Sequence, residues 1–200
     1  MAAQARLPDS AHTSRRWRID EIACDFRLED VWALPVRGDR DDFDALVRGI
    51  AAGDPLHGSR LVGALWTMRW KLGELLGWDD AQTGLDGRVA TLRQRLPADL
   101  LETRGPDFNT LPFTPLYLTE DEFAAEIANR TMHGVMHLGW VADETGGRHH
   151  GQMAVLVKPN GLLGAIYMAA IRPFRQLIVY PAMMRQIERE AARSGRPGVS

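Results

Sequence analysis

Residues 132–174 constrain this chain more than any other stretch. MHGVMHLGWV is followed by ADETGGRHH, then by GQMAVLVKP and NGLLGAIYMAAIRPF. That order reads as strand, hairpin turn, strand and a Pro-interrupted apolar helix. In the first strand, Met132, Gly134, Met136, Leu138 and Trp140 share one face. Thr131, His133, Val135, His137 and Gly139 share the other, because successive strand side chains alternate. Glu144-Thr145-Gly146-Gly147 supplies the turn. The partner strand, Gln152–Lys158, carries apolar residues on both faces, which predicts a central position. Pro159-Asn160-Gly161 ends it. Helical spacing then runs through Leu162, Ile166, Ala169, Ala170, Leu177, Ile178, Met184 and Ile187. Pro173 and Pro181 each remove a backbone donor, so this helix must kink near 171–174 and again near Tyr180, or break. A bent helix laid on an antiparallel sheet can enclose an apolar cavity.

The remainder is less decisive. Residues 1–15 lack the continuous apolar core of a secretory signal and read as a mobile, disordered tail. No repeat or low-complexity linker interrupts the rest, which predicts a single domain over 16–194. Trp17 to Val36 mixes strand-like and irregular signals, and IACDF reads as a half-buried strand with Cys24 an inert, packed thiol. Asp41 and Asp42 precede FDALVRGIAA, a short helix stopped by Gly53-Asp54-Pro55. Ser59 caps a longer amphipathic helix that ends at Gly77, with Trp66 and Trp70 along one side. Residues 79–109 are mostly loop, with a turn or two at RVATLRQRL broken by Pro97. PFTPLYL reads as a strand that Pro112 and Pro115 confine to an edge. TEDEFAAEIANR admits a helix, through the Thr119–Glu122 capping-box match, or a strand; the strands that follow at once favour a strand from Glu122.

Charge and length exclude several functions. A net charge of −2 and a pI near 6.3 give no general attraction to nucleic acid or anionic lipid. The longest apolar run, Gly161 to Ile171, is about half of the ~20 residues that cross a bilayer, so no membrane span is expected. A single cysteine cannot form an intramolecular disulfide, and a cytoplasmic location is expected.

Chemistry is sparse. His133 and His137 share a face but stand ~13 Å apart at strand rise, too far to ligate one metal. They read mainly as solvent-facing or locally bonded, and His149-His150 as exposed turn residues. No metal site is expected. Glu126, Asn129, Arg130 and His133 cluster at the entry to the main strand. There a carboxylate can orient an imidazole as general base while Arg130 stabilises developing negative charge. The plainer reading, and the preferred one, is a hydrogen-bond and salt-bridge network that pins a hairpin. Tyr117, Tyr167 and Tyr180 read as core or rim. The six methionines 132, 136, 153, 168, 183 and 184 suit either an ordinary core or a deformable cavity lining.

About half of the chain also resembles a known family. Asp25-Phe26, MRWKLGELLGW at Met68–Trp78, NRTMHGVMHLGWV at Asn129–Val141 and LLGAIYMAAIRPFRQLIVYPAMM at Leu162–Met184 are similar to bacterial proteins grouped as domain of unknown function 2867, within the START-like (SRPBCC, helix-grip) superfamily. Arg175 stands where many relatives have His, so no role for a histidine transfers there. Some members are fused behind nucleotide-binding reductase domains. No glycine-rich dinucleotide fingerprint opens this chain, and no cofactor is expected. The resemblance implies an α+β helix-grip fold, a curved antiparallel sheet wrapped around a long, Pro-kinked C-terminal helix with a cavity between them. Superfamily members hold lipids, polyketides and sterols, and some are cyclases or hydrolases. The expected function is therefore binding of an apolar or amphipathic small molecule. Its lining would come from Met136, Leu138, Trp140, Met153, Val155, Ile166, Tyr167, Ala170 and Phe174. The alternative is an acid–base enzyme using His133 with Glu126 and Arg130. A membrane- or partner-binding apolar helix is a third reading, and the oligomeric state, a homodimer included, stays open.

Overall fold

A computed structural model describes residues 6–53, 89–129, 131–143 and 147–162, together with 164, 184, 185 and 188. Six strands organise them: β1 (Arg6–Leu7), β2 (Arg27–Gly38), β3 (Thr114–Leu118), β4 (Glu122–Ala128), β5 (Met132–Ala142) and β6 (His149–Pro159). All neighbours are antiparallel, in the open order β1-β2-β6-β5-β4-β3. The class is α+β. β5 and β6 form the centre and pair without a slip from Met132↔Pro159 to Ala142↔His149. β3 takes the edge, and its register shifts between Pro115 and Tyr117, as a residue without a backbone donor requires.

β4 resolves the ambiguity of TEDEFAAEIANR in favour of the strand. The Thr119 hydroxyl does accept the Glu122 N–H, but Thr119 N–H also bonds the Glu122 carbonyl, which closes a β3–β4 hairpin. Thr119 therefore caps a turn between strands.

Alternation divides the sheet into two differently covered faces. On the first, which we call the methionine face, Trp32, Leu34, Val36, Phe123, Ala125, Met136, Leu138, Trp140 and Met153 pack with α3 (Phe43–Ala52). Phe43, Leu46 and Val47 are its buried anchors, each worth about 1.5–3 kcal/mol of burial. The backbone of α3 is finished off by a distant loop. Asn109 N–H bonds the Ala51 carbonyl, and the Asn109 amide bonds the Ala52 carbonyl.

The opposite, histidine face is covered by α2 (Arg18–Ile22), a 3₁₀ turn at Leu92–Arg95 and α4 (Ala98–Leu101). Trp17, Ile19, Ile22, Leu92, Leu96 and Leu100 pack there on Val135, Val141, Ala154 and Leu156.

Two readings of the N-terminal region are corrected. The disordered tail expected over residues 1–15 gives way, from Arg6 onward, to structure. Arg6 and Leu7 pair with Trp32 and Val31, and α1 (Ser10–Thr13) buries His12. The half-buried strand expected around Cys24 is instead the end of α2 and a turn, with Cys24 exposed. The reason is non-local. The first N–H groups of α2, from Arg18 and Ile19, are both accepted by the carboxylate of Glu122, more than a hundred positions away.

The helix expected from Ser59 to Gly77 lies outside the described residues, as do Pro173, Pro181 and most of the segment expected to form the C-terminal helix. Gly161, Leu162, Gly164, Met184, Arg185 and Glu188 are described, and they are helical. The start of that segment is tied to the β4–β5 turn. Asn160 N–H bonds the Thr131 carbonyl, the Asn160 amide bonds the Asn129 carbonyl, and a Cβ on Gly164 would sit 2.0 Å from the Thr131 carbonyl oxygen. Only glycine fits so close to a backbone.

Candidate functional site

Five of the nine residues expected to line a cavity fall on the methionine face. Met136, Leu138, Trp140 and Met153 are buried there with Val155 packed beside them, and Met184 of the C-terminal segment joins the same cluster, fully buried. Trp140 is held by its indole N–H on the Asp39 carbonyl at 2.9 Å and lies 5.8 Å from the Phe43 ring. His149 stacks on Trp140 with ring planes 7° apart. It belongs to β6 and is half-buried, as is His150, whose Nδ1 lies 2.6 Å from an Asp143 carboxylate oxygen. Neither histidine is the exposed turn residue expected. Ile166, Tyr167, Ala170 and Phe174 lie outside the described residues.

The expected acid–base set lies on the other side of the sheet. Glu126 is fully buried, and His133 Nε2 approaches its carboxylate at 2.7 Å. The Phe26 ring packs edge-on against His133 at 4.9 Å. The same carboxylate accepts the Leu92 N–H at 3.0 Å and the Thr91 hydroxyl, whose oxygen in turn accepts the Arg93 N–H. Glu126 thus serves the first turn of the 3₁₀ segment as an N-terminal acceptor, where negative charge is favoured. Arg130 lies outside the described residues. Asn129 is a turn organiser, its side-chain oxygen accepting the Thr131 N–H, the Thr131 hydroxyl and the Met132 N–H.

A second pair repeats the first one helix over. Glu122 accepts the Arg18 and Ile19 N–H groups, both at 2.9 Å, and the Tyr117 hydroxyl at 2.5 Å. His137 Nε2 stands 3.1 Å from Glu122 but out of line for a good hydrogen bond, so that contact is chiefly electrostatic. Burial alone would raise Glu122; His137, Tyr117 and the α2 backbone outweigh it and hold the carboxyl below its ordinary value. Tyr117 is driven far above its usual range by burial and by the Glu122 charge. His133 is therefore buried and bonded to Glu126, His137 is buried beside Glu122 without a well-formed hydrogen bond, and neither faces solvent.

The sequence reading missed Glu122–His137 as a pair. A signal was available: E-x-x-x-E in β4 opposes H-x-x-x-H in β5, and the observed register sets Glu126 against Val135 and Glu122 against Gly139, so each histidine is the diagonal neighbour of one glutamate. Thr91 and His12 carried no such signal. Among the described residues, no group of three or more His, Cys, Asp or Glu is arranged to hold a metal ion, and no helix is long and apolar enough to cross a membrane.

The family model described as "Protein of unknown function (DUF2867)" matches residues 22–182. No curated protein and no solved structure matches the chain.

Proposed function

The chain belongs to the DUF2867 family, and from that membership we propose that it binds an apolar or amphipathic small molecule between the methionine face and its C-terminal segment. The reading takes a START-like architecture and a bacterial, cytoplasmic setting, in which one free thiol is unremarked. One observation carries it: Met136, Leu138, Trp140, Met153 and Val155 converge on a single face and share a cluster with Met184 of the C-terminal segment. Thioethers adapt to guests of varied shape, and Trp140, fixed through its N–H, offers a rigid aromatic wall. Ligand sites of this kind are mostly apolar with few polar groups.

The acid–base alternative is favoured by the 2.7 Å His133–Glu126 contact. Two facts weigh against a joint site. The pair faces away from the apolar cluster, and the Glu126 carboxylate already serves Leu92, Thr91 and His133. The geometry supports an anchoring role for it.

Native mass spectrometry after gentle purification, followed by a panel of fatty acids and aromatic polyketides read by tryptophan fluorescence, tests both readings. Binding is expected in the parent and loss of binding in Met136→Trp, with His133→Ala still binding. A panel without any response, or Met136→Trp binding as well as the parent, overturns the proposal. Turnover that His133→Ala abolishes and Met136→Trp spares establishes the alternative.

A further inference from the structure

The histidine face carries a second cluster that the ligand reading does not use. His12 and His137 are both buried, with ring centroids 5.1 Å apart and edge to face. Trp17 closes over them, 5.0 Å from the His137 ring, and its indole N–H bonds the His12 carbonyl at 3.1 Å. The ring fits because residue 139 is glycine: a Cβ there would lie 2.7 Å from the Trp17 ring edge. His12 Nε2 and both His137 nitrogens lack a well-formed hydrogen bond among the described residues. Buried imidazoles left in that condition weaken the docked state, since each unmade bond forfeits solvation.

We propose that residues 6–22 form a pH-sensitive latch over the histidine face, held shut while His12 is neutral and loosened when it is protonated. The surroundings of His12 decide the sign. From α2 it faces Asp20, 4.0 Å away and nearly half exposed. From β5 it faces His137, and from β4 Glu122. The Glu122 charge is already divided among the Arg18 and Ile19 N–H groups, the Tyr117 hydroxyl of β3 and His137. Arg18 reaches away from the cluster to Asp99 of α4, at 2.8 Å. Gln152 of β6, paired opposite Gly139, is buried and uncharged. A cation on His12 would therefore sit in a buried site beside a second imidazole, its two carboxylates the screened Asp20 and a Glu122 already shared among other donors.

Burial, and then His137, bring His12 from 6.5 to about 4. The undocked segment binds a proton more readily than the docked one, so the grip is complete above pH 6.5 and fades as pH falls toward 4. Other attachments do not titrate between pH 7.5 and 5: Trp17, Ile19 and Ile22 pack in the core, Arg6 and Leu7 pair with β2, and two N–H groups sit on the Glu122 carboxylate.

Hydrogen exchange of residues 6–22 in the full chain, corrected for the intrinsic pH dependence, reads the opening equilibrium. Between pH 7.5 and 5 it is expected to rise roughly thirtyfold, while β5 and β6 amides keep their protection. His12→Phe and His12→Gln should both flatten that profile, the first keeping a ring and the second a polar group. An unchanged opening constant in the parent, an equal rise in both variants, or loss of β5–β6 protection at the same pH would each overturn the latch.

Discussion

The two faces of one sheet are built on different physics. On the methionine face, contact is apolar, and burial is proportional to area and indifferent to direction. On the histidine face, Glu122 accepts the two opening N–H groups of α2 and Glu126 the Leu92 N–H and Thr91 hydroxyl of the 3₁₀ turn, and each also meets a histidine of β5. A five-residue helix and a four-residue 3₁₀ turn are too short to stand alone, so a carboxylate at each start supplies what helical length does not. Apolar contact leaves the cover of the first face free in direction, whereas directed hydrogen bonds hold the cover of the second in one orientation.

Removing an acceptor breaks the comparison most sharply. Glu122→Ala strands the Arg18 and Ile19 N–H groups and the Tyr117 hydroxyl, and should cost about 3–5 kcal/mol in urea unfolding at pH 7. Leu138→Met, a near volume-conserving swap on the other face, should cost less than about 1.5 kcal/mol. Equal losses would show that the faces do not differ in kind. A smaller effect is expected at Gly139. Gly139→Ala forces the Trp17 ring to move and should cost about 1–3 kcal/mol, with loosened exchange protection over α1 and α2. A neutral result there would mean that Trp17 is not held as tightly as its contacts imply.

The smallest effect is expected at the rim. Asp25 binds Arg95 at 2.6 Å and Lys158 at 2.8 Å, and the Arg95 bond above all keeps its carboxyl below the usual range. All three groups are partly exposed, so Asp25→Asn should cost under about 1 kcal/mol, shrinking further in added salt. A loss as large as that of Glu122→Ala would remove burial as the distinguishing variable.

Much of the central sheet was legible from local pattern. The alternation of Met136, Leu138 and Trp140 against His133, Val135 and His137 named both faces of β5, and apolar residues on both sides of β6 marked it as central. Pro115 marked the edge strand, and Asp42 with Gly53 bounded α3. Five of the nine residues expected to line a cavity do share one face, and Glu126 does touch His133, as their place at the strand entry suggested. What failed was local reading of short pieces. Arg18–Ile22 has too few residues for periodicity to show, and nothing in MAAQARLPDSAHTSR announces that His12 will be buried.

The amino-acid order by itself therefore determined the strands, their inward and outward sides and the hairpin at the centre, because period-two alternation is a property of neighbours. Only the packing of the whole chain made RIDEI helical and brought Glu122 to His137. It also decided that Trp17 and His12 would close over His137. Those outcomes depend on partners as far apart as Arg18 and Glu122, and a hydrogen bond across that separation leaves no trace in local spacing.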